Sequence, residues 1–206
     1  MSSFLGHSLA GLTVYLTTTE LSINRQDRSS VRSQLPWLLW LLTIASIPDI
    51  DYLISSLILQ SDLHRIRTTH SLIGVLILPI ITILILWRSG QRGKTFKLRS
   101  LQAILAGLSH LLLDLSTGVF PLPLLYPNLE VFRLPFGVLP SAGKIQLTNY
   151  LFYRNLSIEL GVLVPLSISL LLIIRDATPF GKHKFFIAAG LLVSAYFMVW
   201  ASNLSR

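Results

Sequence analysis

The chain has 206 residues, 52% of them hydrophobic and only 13% charged, with a mean hydropathy of +0.65. Soluble globular domains carry about a quarter charged residues, so this composition describes a single membrane-embedded domain of residues 1–206. The absence of cysteine excludes disulfides and thiolate metal sites. The net charge of +8 is scattered without any aromatic–basic motif, so no nucleic-acid partner is expected.

A spanning helix needs about 20 mostly apolar residues, and six segments qualify or nearly do. The first, 3–21, follows no positively charged n-region and no small-residue cleavage site, so it is expected to remain as a helix. The second, 35–59, is interrupted at 46–51 by "SIPDID". The third, 70–87, carries Pro79, and the fifth, 156–174, carries Pro165; each proline predicts a kink. The fourth is 99–116 and the sixth 185–200. Polar residues dilute the first and the fourth.

Between the fourth and fifth segments lies 117–155, which holds five of the ten prolines: Pro121, Pro123, Pro127, Pro135 and Pro140. Such a stretch is no regular helix, yet it is too apolar for a disordered linker. It reads as a cap at the membrane interface. The expected fold is therefore all-α: a polytopic transmembrane bundle of about six helices with a Pro-rich interfacial cap. The motif-bearing part is 1–155, and 156–206 is a C-terminal helix pair.

Lys and Arg in short loops set orientation. Arg25, Arg28, Arg32, Arg88, Arg92, Lys94, Lys97, Arg99, Arg175, Lys182 and Lys184 fall on one side. Arg65, Arg67, Arg133, Lys144, Arg154 and Arg206 fall on the other. The bias predicts the first side to be cytoplasmic and both termini to lie outside.

On that topology the polar residues converge. His7 starts the first segment, and Asp49 and Asp51 sit at the Pro48 break. His64 lies in the next loop, His70 opens the third segment, and His110 and Asp114 close the fourth. All seven lie toward one membrane face, the non-cytoplasmic one. Ionisable groups in a membrane are costly and tend to pair or to line a functional cavity. A metal ion gives seven of them a common reason, because it lets imidazoles and carboxylates share a low-dielectric site. His110 and Asp114, four residues apart, share one helical face and could reach one ion. A mixed His/Asp set suits Zn²⁺, Mn²⁺ or Fe²⁺ better than Ca²⁺.

Plainer readings stand beside this one. His110 and Asp114 could be an interhelical hydrogen-bonded pair, and Asp49 a helix N-cap after Pro48. His7 could be a surface histidine. Arg65 and Arg67 could anchor to lipid headgroups or clamp a substrate phosphate. Thr69, Ser71 and Ser109 read as caps or packing hydroxyls rather than nucleophiles. His183, in a basic loop on the opposite side, receives no role.

His7, "IPDID", "HRIRTTHSL", "LSHLLLD" and "PLLYP…FRLP" occur in this order. Over roughly 5–145 the chain resembles the YdjM-type family of inner-membrane metal-dependent hydrolases. That family's pattern is an early His, then P-D-x-D, H-R-x-x-T-H-S and S-H-x-x-x-D. The resemblance implies metal-site roles for His7, Asp49, Asp51, His64, His70, His110 and Asp114. Two departures stand out. The interval in "HRIRTTH" is one residue longer than usual, which favours His70 over His64. A glutamate that relatives can carry near "GKIQLTNY" is absent, with Thr148 there and Glu159 the next carboxylate downstream. The family is also labelled LexA-binding, a contact that nothing in this sequence supports.

The resulting expectation is a hydrolase in the bacterial inner membrane that uses a divalent transition metal to deliver hydroxide to an ester or phosphoester. His7, Asp49, His64, His70, His110 and Asp114 would be the metal ligands. Asp51 would accept the proton, and Arg65 or Arg67 would hold an anionic group. The expected partners are membrane lipids and an amphiphilic phosphoester. The rival readings are a transporter or ion-binding protein and a degenerate hydrolase kept as a scaffold.

Overall fold

The computed structural model describes residues 2–22, 31–50, 68–119, 121–128, 130–141, 148–175 and 182–204. Among them six α-helices occur in the order α1 (Phe4–Ser22), α2 (Val31–Ser46), α3 (Leu72–Arg88), α4 (Gly93–Thr117), α5 (Tyr150–Arg175) and α6 (Lys184–Ser202). Short 3-10 turns at Ile47–Asp49 and Thr68–His70 flank the gap between α2 and α3. The described residues contain no β-strand beyond a single bridge between Leu122 and Phe132. The all-α bundle expected from the sequence is the observed fold.

Three helices, α4, α5 and α6, are long and apolar enough to cross a membrane; α3 is apolar but shorter. Their 25, 26 and 19 residues correspond to about 38, 39 and 28 Å at a rise of 1.5 Å per residue. Helices α4 and α5 each begin six residues before the apolar segment that marks them, so Lys94, Lys97, Arg154 and Asn155 already lie within the helices. Helices α3 and α5 run unbroken through Pro79 and Pro165.

Helix α1 packs against α2, α4 and α5, so its polar residues meet protein. The hydroxyls of Thr13, Thr17 and Thr18 donate back to the carbonyls of Leu9, Thr13 and Val14 at 2.6–2.7 Å. Satisfying hydroxyls inside the helix lets a threonine-rich segment sit in an apolar bundle. At the α1/α2/α4 junction Leu41, Ile44, Ala45, Ala103 and Ala106 form a buried apolar layer. Below it Gln102 accepts a hydrogen bond from Trp37 Nε1 at 2.6 Å and donates to Thr18 and Thr19. Helices α3 and α4 meet at Gly107, where an added methyl carbon would stand 2.7 Å from Val75 O. Such close backbone approach is how small residues join membrane helices.

The Pro-rich connection folds over one end of this bundle. Gly118 takes φ +62° and ends α4 in a left-handed cap. Leu122 and Phe132 exchange backbone hydrogen bonds at 2.8 Å, and Leu124 O accepts from the Leu72 N–H at the start of α3. Ser116 O accepts from Val138 and Leu139. Leu122 and Leu139 are buried, which anchors a stretch whose prolines cannot form a helix.

The second sequence segment is interrupted where "SIPDID" predicts: α2 stops at Ser46, and Ile47–Asp49 tightens into a 3-10 turn with Pro48 inside it. Proline lacks the N–H that an α-helix needs at that point. The third segment starts at Leu72 rather than at His70. Ser71 caps it, accepting from the Gly74 N–H at 3.0 Å and donating to Thr68 O at 2.7 Å.

Candidate metal centre

Five of the expected ligands meet at one end of the bundle. His7 comes from the first turn of α1, Asp49 from the turn after α2, His70 from the turn before α3, and His110 and Asp114 from the last turns of α4. The three histidines are fully buried, and Asp49 and Asp114 are 3% and 2% exposed. The Pro48 break turns the chain so that Asp49 faces inward. Asp49 closes the 3-10 turn, and Ile50 after it is already helical.

All three imidazoles point Nε2 at both carboxylates. His7 Nε2 lies 3.4 Å from Asp49 Oδ2 and 3.5 Å from Asp114 Oδ1. His70 Nε2 lies 3.2 Å from Asp49 Oδ1 and 3.4 Å from Asp114 Oδ2. His110 Nε2 lies 3.8 Å and 3.5 Å from the same two oxygens. The ligand atoms of His7, Asp49, His110 and Asp114 lie within 4.8 Å of one another. The His7 and His110 rings stack at 4.0 Å.

These separations can be set against two arrangements of the cluster. An N–H···O hydrogen bond spans about 2.7–3.2 Å, and most of the six distances are longer. Two donor atoms each about 2.1 Å from a shared ion stand about 3.0 Å apart at a right angle and about 3.4 Å at the tetrahedral angle. The observed 3.2–3.8 Å fits the second case. His7 Nε2, His110 Nε2 and Asp114 Oδ2 also find no hydrogen-bond partner among the described residues. Buried polar atoms left this way are expensive. A divalent cation would satisfy them, and two carboxylates with three neutral imidazoles would balance its charge.

The surroundings orient these donors. His110 Nδ1 pairs with Ala45 O at 2.9 Å, which leaves the Nε2 lone pair toward the centre. His70 Nδ1 pairs with Thr69 Oγ1 at 3.0 Å. Hydrogen bonds of this kind fix the tautomer and ring orientation of metal-binding histidines. Asp114 Oδ1 accepts from the Ser2 N–H at 2.8 Å.

Glu159, on α5, enters here as a residue the sequence reading left aside. It is buried, and it accepts hydrogen bonds from Ser2 Oγ and from the Ser3 N–H, the latter at 2.9 Å. Glu159 thus holds the segment whose backbone holds Asp114. A methyl carbon at Gly6 would collide with its carboxylate. The signal was present in "LSIELGVLVPL", an acid inside an apolar run. Its partner, 156 residues away in sequence, was not visible. Asp51, His64, Arg65 and Arg67 lie outside the described residues. Ser109 donates to Ala106 O at 2.8 Å, as a packing hydroxyl does.

Neither a curated protein nor a solved structure is significantly similar to the chain. The sequence model of the YdjM inner membrane protein family matches residues 1–202. With nearly its whole length matched, the chain belongs to the YdjM family of inner membrane proteins.

Proposed function

We propose that this protein is a membrane-bound metal-dependent hydrolase acting on an ester or phosphoester of an amphiphile. The observation that carries the reading is the set of three Nε2 atoms and two carboxylates at ligand–ligand separations, buried, with orphaned donor atoms. His7, Asp49, His70, His110 and Asp114 would hold the ion, and the chemistry of the donors favours Zn²⁺, Mn²⁺ or Fe²⁺. Such an ion supplies a strong nucleophile from water at neutral pH. The water oxygen would bond to the carbonyl carbon or phosphorus as the bond to the ester oxygen breaks, and a carboxylate would take the water's proton and pass it to the leaving oxygen. Asp51 is the proposed acceptor and Arg65 the proposed anchor for an anionic group. The Lys and Arg bias argues for a site on the non-cytoplasmic face.

A transporter reading meets one specific obstacle. The apolar layer of Leu41, Ile44, Ala45, Ala103 and Ala106 stands between the His/Asp cluster and Gln102. A translocation path would have to carry polar groups through that layer. This favours a site served from one face.

The test has two readouts. Purified protein should hold a stoichiometric transition metal by elemental analysis, and a panel of lipid esters and phosphoesters should contain a compound that it hydrolyses. Metal without turnover would select the ion-binding or scaffold reading. Absence of metal would remove the site itself.

A further inference from the structure

A groove of about 470 Å³ opens beside the metal centre, within the range of about 300–1,000 Å³ usual for small-ligand sites. One wall is the turn after α2, with Pro48 and Ile50; the other is the start of α3, with Ile73 and Ile77. Thr69 and Tyr126 complete its polar end. Two of these residues touch the centre through the chain: Pro48 precedes Asp49, and Thr69 precedes His70 and pairs with its ring.

The groove has a direction. Thr68, Thr69 and Ser71 line it where α3 begins, and Ile73 and Ile77 line it further along the helix. Ile73 and Ile77 are 55% and 52% exposed, and Ile80, Ile81, Leu84 and Ile85 continue the apolar face. In a membrane that face meets lipid chains. The groove is thus polar at Thr68, Thr69 and Ser71, beside His70, and apolar along Ile73 and Ile77. A lipid ester has the same gradient over the same distance, since its ester lies at headgroup level and its chain runs inward.

We propose that this groove binds one acyl chain of the ester-containing lipid, placing the ester beside Asp49 and His70. The inference rests on the hydrolase reading for its ester, but chain binding can be measured without turnover. The probe is a phosphatidylethanolamine with a diazirine on one acyl chain, mixed into phosphatidylglycerol nanodiscs that hold the full-length protein. After photolysis, mass spectrometry maps the adducts.

Adducts should concentrate on residues 73–78 and on the turn around Pro48. Ile77→Trp, which fills the groove, should lower that labelling about tenfold, the equivalent of losing contact with about two methylenes. Ile73→Trp should do the same, and Leu84→Trp, outside the groove, should not. Metal content should stay at the wild-type level in all three. Labelling spread evenly over the lipid-facing sides of α3, α5 and α6, or groove labelling unchanged in both groove variants, would overturn the proposal. Loss of metal content bears on the hydrolase reading and loss of groove labelling on this one, so the two fail separately.

Discussion

Asp114→Asn tests the metal centre most directly, because it removes one charge and one ligand and little else. The asparagine has the same shape, and its amide oxygen can still accept the Ser2 N–H that Asp114 Oδ1 accepts at 2.8 Å. Its amide nitrogen would replace Oδ2, which faces His70 and His110 at 3.4 and 3.5 Å, and could donate to either ring. The fold is therefore retained. A complete zinc site contributes about 10–16 kcal/mol of binding. Shared over five donors, the loss is about 2–3 kcal/mol, or roughly 100-fold in affinity. At a free metal concentration about 100 times the wild-type Kd, the metal stabilises wild-type protein by about 2.7 kcal/mol and the variant by about 0.4. Without metal the sign reverses: two buried carboxylates that face the same three imidazoles repel, and removing one relieves that repulsion. The variant should thus be at least as stable as wild type in chelator and clearly less stable in metal. Thermal unfolding with and without chelator, together with elemental analysis after dialysis, reads both. Equal metal content in the two proteins, or wild-type unfolding indifferent to chelator, would refute the reasoning.

Four further outcomes follow from the same geometry. Gly74→Ala touches no ligand, but its methyl would meet Thr68 O, Thr69 O and Thr69 Cα. It should push the turn bearing His70 away and lower metal content, measured by elemental analysis. Glu159→Gln should weaken metal affinity by about 10-fold, at the lower end of orienting-residue effects, because Ser2 and Ser3 lose a charged acceptor; competition with a chelating dye would detect it. Gln102→Leu should cost about 1–3 kcal/mol of stability by leaving the Trp37 indole N–H without its acceptor, with metal content unchanged in the same dialysis assay. Because the chain lacks cysteine, Gln91→Cys and Leu125→Cys can each be labelled alone in intact cells. An impermeant maleimide should reach Leu125→Cys and not Gln91→Cys; the reverse pattern would invert the proposed orientation.

The sequence by itself determined the class of this protein. The apolar runs in α3, α4, α5 and α6 are too long for barrel strands, and helices satisfy their backbone in lipid. The i, i+4 pair of His110 and Asp114 was legible because helical periodicity fixes their common face. The ordered motifs were enough to suggest the family that the whole-chain match then established. Tertiary structure decided what periodicity does not encode. Whether His7, Asp49 and His70 approach one another depends on where α2 breaks at Pro48, how Ser71 caps α3, and how closely Gly74 lets the His70 turn sit. Helix α1 is an apolar segment diluted by hydroxyls, and only its packing against α2, α4 and α5 shows what surrounds them. Glu159 is the sharpest case. An acid in an apolar run announces a buried partner, but the partner is the backbone of Ser3 and the hydroxyl of Ser2 at the far end of the chain. Such contacts arise from helix packing, to which local sequence is blind.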